Sequence, residues 1–317
     1  MNVKDFTEGT TLTNQRLLIL KSETKLTKQQ KPYLKLDFAD KTGDINGNLW
    51  DTTSEQINIF KAGTVISLNA TVSSYQQRLQ LEINQLTKSN DQNKEDLLPS
   101  APEDFNALKQ ELAKYVLAIH NPVYQTIVQT LIHKHQHEFL RWPAAKSVHH
   151  NFYHGLLFHT ISILRQLEHM ANQYPKLDRE LMYAGALIHD LGKTVELSGV
   201  LNTEYTTNGK LLGHISIIDG EINRIAEQNN IPETDHSLIL LRHMVLSHHG
   251  LLQYGSPVEP QIIEAVALHQ ADTTDAQMNT ITNKLNQTKP NEWTEKIWSQ
   301  NNHQFLNHQS EEDNLEI

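Results

Sequence analysis

The chain has 317 residues, 38% of them hydrophobic, a formal net charge of −10 and no cysteine. The length points to two domains rather than one. The missing cysteines exclude disulfides, thiolate metal sites and cysteine nucleophiles together, and fit a cytoplasmic protein. No run of about 18 apolar residues is present, so no membrane span is expected. The opening stretch lacks the basic-then-apolar order of a secretory leader.

Charge and histidine are unevenly spread. Residues 1–90 carry 11 Lys+Arg against 9 Asp+Glu, and the remainder carries 16 against 28. All 18 histidines lie at His120 or later. A histidine-rich, cysteine-free region suits hard or borderline metal ions rather than soft ones.

Residues 12–86 read as five short strands. Leu17–Leu20 is a brief apolar run, Tyr33–Phe38 nearly alternates, and Ile45, Gly47 and Leu49 alternate toward Trp50. Val65–Val72 is rich in β-formers, and Leu79–Ile83 alternates strictly. Turn chemistry at Lys31-Pro32 and at Asp40–Gly43 separates the segments, and a short helix fits 52–60. Five strands with a helix before the fourth is the layout of an OB-fold barrel. The expected architecture is therefore multidomain: an all-β OB-fold over 1–87, a polar linker over 88–104, an all-α domain over 105–310 and a tail over 311–317. Helices are expected at 105–118, 123–137, 156–173, 179–189, 213–229, 236–247 and 260–275, with fraying after Asn301.

The sharpest motif is Ile188-His189-Asp190-Leu191-Gly192-Lys193, where an apolar helix closes on two adjacent ionisable groups. Burying such groups without partners is costly, and a divalent cation is a natural partner for imidazole and carboxylate together. Other apolar segments carry the same kind of residue: His159 within Leu156–Thr160, His214 after Leu211-Leu212-Gly213, His248 and His249 before Gly250, and Asp272 after Ala267–Ala271. His243 and His269 lie near these groups and read as orienting or structural residues. Lys193 follows Asp190 by three residues, so a continuing turn puts both on one side and suits the lysine to a phosphate oxygen. His149 and His150 precede the first of these helices and are candidates for phosphate contact. Neither a Gly-x-Ser-x-Gly elbow nor a Walker-type phosphate loop occurs. Hydrolysis by water activated on divalent cations is the economical chemistry, with Asp190 and Lys193 as the candidate catalytic residues.

The ordered series of histidines and aspartates over about 150–275 resembles the HD-domain phosphohydrolase superfamily. The resemblance implies one metal held by His159, His189, Asp190 and Asp272. It implies a second held by His214, His248 and His249, with Asp190 bridging, so one or two ions per chain. Gly155 stands where some two-metal members carry a glutamate.

In the barrel, Tyr33, Lys35, Tyr75 and Arg78 are candidate contacts for single-stranded nucleic acid, which such folds bind by stacking bases over a basic groove. Phe38 and Trp50 are expected in the core. Joined to the later motifs, Lys31-Pro32-Tyr33-Leu34, Asp40–Gly43 and Leu49-Trp50-Asp51 resemble the YhaM family of 3′-to-5′ exoribonucleases over nearly the whole chain. That likeness implies manganese or cobalt as the metal. It implies single-stranded RNA, and also single-stranded DNA, as substrate, with nucleoside 5′-monophosphates released. Phe158 departs from the glutamate expected before His159. Homo-oligomerisation is compatible with the sequence. Two other readings compete: an HD phosphohydrolase of a nucleotide or cyclic dinucleotide, of which Tyr254–Pro257 is a loose echo, and a non-catalytic RNA-binding protein with a structural metal.

Overall fold

The computed structural model describes residues 1–75, 78–98, 100–145, 152–200 and 203–308. His149, His150 and the expected tail at 311–317 lie outside the described residues. Two compact units emerge: Met1–Ser100 with Ser198–Glu204, and Ala101–Leu197 with the described residues from Tyr205 onward.

The first unit is a closed five-stranded barrel with the OB-fold order β1-β2-β3-β5-β4. Its strands are β1 (Thr11–Leu26), β2 (Pro32–Asp40), β3 (Gly43–Leu49), β4 (Val65–Tyr75) and β5 (Arg78–Lys88). Helix α1 (Ser54–Ile59) joins β3 to β4 and opens on a capping box between Thr53 and Gln56. The alternation in β2 determines which way each side chain points. Leu34, Leu36 and Phe38 fill the core, while Lys35 faces solvent with Tyr33 half-buried on the same parity. Trp50 does not join that core. It stands one residue past the end of β3, where the chain leaves the sheet through Asp51 at φ 49°, and is 57% exposed.

The stretch 88–104 is also less free than its composition suggests. Leu97, Leu98 and Ala101 are buried, the Gln92 amide brackets the backbone of Val65, and Arg16 pairs with Asp91 at 2.9 Å.

The second unit is helical: α2 (Phe105–Leu117), α3 (Pro122–Phe139), α4 (Gly155–Gln173), α5 (Arg179–Ile188), α6 (Lys193–Glu196), α7 (Thr207–Gln228), α8 (His236–Ser247) and α9 (Ile263–Leu285). Every residue from Leu181 to Ile188 is buried, so α5 is apolar all round, as a central helix must be. Asp178 caps its start through the N–H groups of Glu180 and Leu181. Helix α7 begins six residues before the expected start, because a first helical stretch from Thr207 runs into the expected one through a kink at Gly213. The φ of 72° at that kink is one that only glycine adopts without strain. The region after Asn301 is not frayed throughout: Trp293 bridges Leu306, and Ile297 bridges His303, making a short hairpin.

Candidate metal centre

Five segments of the helical unit converge. Helix α4 supplies His159 from its buried face, and α5 ends directly on His189 and Asp190. The kink of α7 supplies His214, the end of α8 supplies His248 and His249, and α9 supplies Asp272. Two groups of potential ligand atoms result, each within 4.8 Å: His159, His189 and Asp272, and Asp190, His214, His248 and His249. Asp190 lies between them. Its Oδ2 is 3.3 Å from His159 Nε2 and 3.4 Å from His189 Nε2, and its Oδ1 is 3.4 Å from His214 Nε2.

The imidazoles share one orientation rule. The Nδ1–H of His189 donates to the Ala186 carbonyl at 2.8 Å, and that of His248 to the Val245 carbonyl at 2.7 Å. His249 donates to the Tyr254 carbonyl at 2.6 Å, His159 to Asp275 at 2.7 Å, and His214 to Glu196 at 3.1 Å. Each ring therefore fixes its tautomer and turns the Nε2 lone pair inward. The Nε2 atoms of His189, His214 and His248, and Oδ1 of Asp190, are buried with no hydrogen-bond partner. Several lone pairs aimed at one place repel each other unless a cation sits among them, so the residues present fit divalent metal.

The electrostatics agree. Burial alone would raise the pKa of Asp190, but the Lys193 ammonium and nearby imidazoles hold it well below the usual carboxylate value. Burial likewise opposes the charge on Asp272, and His159 and His189 outweigh it. Burial pushes His248 well below its ordinary value, with repulsion from His249 and His189 added, and His249 shifts the same way. Ionised carboxylates and neutral imidazoles are the protonation states a metal requires. Burial also disfavours charge on His159, yet Asp190, Asp272 and Asp275 pull its pKa well above 6.5. Those three carboxylates create a field that calls for positive charge.

Lys193 donates to Asp190 Oδ2 at 2.6 Å and lines a cavity of about 590 Å³ beside the cluster. Gly192 is required by packing: a Cβ there would collide with the His214 carbonyl oxygen, so the glycine lets the two ligand-bearing segments close. Among the other expected orienting residues, His243 accepts from the Gln261 N–H at 2.9 Å and His269 donates to the His248 carbonyl at 2.8 Å. Phe158, which stands in place of a glutamate, is a partly buried apolar residue packed against the helical core.

Sequence reasoning does not single out Glu196 or Asp275. Glu196 accepts from both the backbone N–H and the ring of His214, and Asp275 accepts from His159 and from the Ser162 hydroxyl. Asp275 follows Asp272 by three residues on one helix, a spacing that could flag it. Glu196 has no such signal, because its partner lies 18 residues away across a loop.

Sheet register separates the barrel candidates into two pairs. Tyr33 stacks on Trp50 with centroids 4.6 Å apart, and Lys35, two residues on, pairs with Asn48 of β3. Tyr75 pairs with Arg78 where the end of β4 meets the start of β5, and both are exposed. Trp50 is thus a surface aromatic and not the core residue that strand parity suggests.

Among the described residues, no helix is long and apolar enough to cross a membrane. The model of the HD domain family matches residues 156–277, which hold all the converging side chains. A relative described as "3'-5' exoribonuclease YhaM", from Geobacillus sp. (strain WCH70), is 39% identical over 292 residues, covering 91% of this chain and 90% of its own. Identity at that level over nine-tenths of both chains shows that the chain belongs to the YhaM family.

Proposed function

We propose that the protein is a metal-dependent 3′-to-5′ exoribonuclease acting on single-stranded RNA and releasing nucleoside 5′-monophosphates. The observation that carries this is the buried set of inward Nε2 lone pairs around ionised Asp190, open to a cavity on one side. A structural metal site is normally closed off, whereas His214, His249 and Asp272 here line a cavity through which water and substrate can reach the cluster.

In this reading His159, His189, Asp190 and Asp272 would hold one ion, and His214, His248 and His249, with Asp190 shared, would hold a second. Divalent cations, with manganese or cobalt as our choice, would polarise the scissile phosphate and lower the pKa of water. The protein's own groups do the rest. Asp275 and Glu196 fix the rings of His159 and His214, so those side chains need not reorganise during reaction. Lys193 balances Asp190 at rest and offers its ammonium to a phosphate oxygen when the strand enters. A water oxygen bonds to phosphorus as the bond to the upstream 3′-oxygen breaks, a proton from that water ends on the 3′-oxygen, and the terminal residue leaves as a 5′-monophosphate. In the barrel, Tyr33 with Trp50, Lys35, Tyr75 and Arg78 contact the strand through stacking and charge. His149 and His150 belong to the same proposal as phosphate contacts. Single-stranded DNA should also serve, and the cytoplasm is the compartment this activity suits.

The test is a 5′-labelled single-stranded RNA incubated with Mn²⁺ and resolved by size over time. A descending ladder that slows at a stable hairpin is expected. Immediate release of a labelled mononucleotide, or scattered internal cuts, would overturn the direction.

A further inference from the structure

The cavity beside the metal centre extends well past the ligands. On α9 it is lined by Asp272, Thr273, Ala276, Gln277 and Thr280. Those positions form one helix face, and eight residues at 1.5 Å each span about 12 Å. Among the described residues, the charged lining side chains Lys193, Glu196 and Asp272 all belong to the cluster end. Farther along, the described wall is neutral. Gln277 on α9 and Ser299 and Gln300 of the C-terminal hairpin supply amides and a hydroxyl, groups that both donate and accept. The hairpin is anchored by buried Thr294 and Ile297, and it lies beyond the residues matched by the HD domain.

Tyr254 also lines this cavity, yet the residue is 61% exposed. Its backbone is tied to the metal centre. The Tyr254 carbonyl accepts from His249, and the neighbouring Ser256 hydroxyl accepts from the His249 N–H at 3.0 Å. The loop thus holds an aromatic face at a set reach from the ligands without using that face in the core.

We propose that this neutral wall is the subsite for the 3′-terminal nucleoside, with Tyr254 stacking on its base and Gln277, Ser299 and Gln300 meeting its ribose hydroxyls. The proposal rests on the exonuclease reading above. Charge sorts the two ends: the terminal phosphodiester belongs at Lys193 and the metal ligands, and the uncharged sugar and base belong beyond. No cation among the described residues of the far wall would receive a phosphate, so a 3′-phosphorylated end is a poor fit.

The experiment uses the full-length protein with Mn²⁺ and 5′-labelled strands of one sequence. They end in an ordinary ribonucleotide, an abasic ribose or a 2′-deoxynucleotide. The wild-type KM should be about tenfold higher for the abasic end, the size expected from one lost stacking contact. Tyr254→Ala should raise KM for the ordinary end and erase the abasic penalty, while Tyr254→Phe should keep it. Gln300→Leu should narrow the difference between ribose and deoxyribose ends. Equal wild-type KM for ordinary and abasic ends, or an abasic penalty that survives in Tyr254→Ala, would overturn the subsite and leave the exonuclease reading standing. A wild-type protein that shortens no strand from the 3′ end would bring both down.

Discussion

The barrel and the helical unit place their functional side chains in opposite ways. In the barrel, Lys35 and Arg78 sit on the outward parity of strands whose inward parity is core. In the helical unit, His159, His189, Asp190 and His248 are themselves buried, inside a shell of leucine, isoleucine and alanine. A surface site of the first kind is built from independent contacts, each losing a modest amount when removed. A buried site of the second kind behaves as one object, because removing a partner leaves the remaining lone pairs and charges without compensation.

The largest effects should follow from breaking the buried object. Asp190→Ala removes the group between both ligand clusters, so activity should fall to the level seen with a chelator, and metal content by mass spectrometry of the native protein should fall with it. Full turnover in that variant would sink the site assignment. A smaller loss is expected one layer out. Glu196→Gln or Asp275→Asn should weaken metal affinity or activity by about 10- to 100-fold, read as the metal concentration giving half-maximal rate. If excess metal restores neither variant, the orienting role is wrong.

The barrel should respond more gently. Trp50→Ala should raise KM for a long single strand by about tenfold, with a smaller penalty on a dinucleotide. An equal penalty on both substrates would mean that Trp50 acts through the fold rather than through the strand.

The smallest effect concerns stability. His135 and Glu221 are buried at 2.7 Å, Lys134 holds the other Glu221 oxygen at 2.7 Å, and Thr194 beside Lys193 bonds the far side of the His135 ring at 2.9 Å. Burial would raise the Glu221 pKa, but hydrogen bonds from His135 and Lys134 bring it down to about 2. A depressed carboxylate pKa contributes stability that is present above the unfolded value near 4.5 and lost as pH falls toward 2. Glu221→Gln should therefore cost about 1–3 kcal/mol at neutral pH, and the difference in melting temperature should shrink below pH 4. A difference that stays constant with pH would show that the charge of Glu221 contributes nothing.

The two regions also differ in how much of them is legible in the sequence. Alternation in Leu34–Phe38 and Leu79–Ile83 identifies strands, because a strand's period of two is a local property. It gives the buried face of the first fully and of the second only at Leu81, since Leu79 is exposed. It fails at Trp50, where the strand ends, since parity has no meaning once the chain leaves the sheet. In the helical unit, histidines and aspartates inside apolar runs mark the candidate ligands, because an unpaired charge there has no other good explanation.

What the sequence determined by itself was therefore chemical type: an alternating five-strand pattern, apolar helices, and ionisable groups placed where water is absent. What only the tertiary structure decided was pairing. It brought Glu196 to His214 across a loop, turned the Nδ1–H of His189 and of His248 onto the carbonyl three residues back, and stacked Trp50 on Tyr33. Residue type and period are local quantities carried along the chain. The direction of a lone pair depends on what the folded chain brings to the other side of the ring.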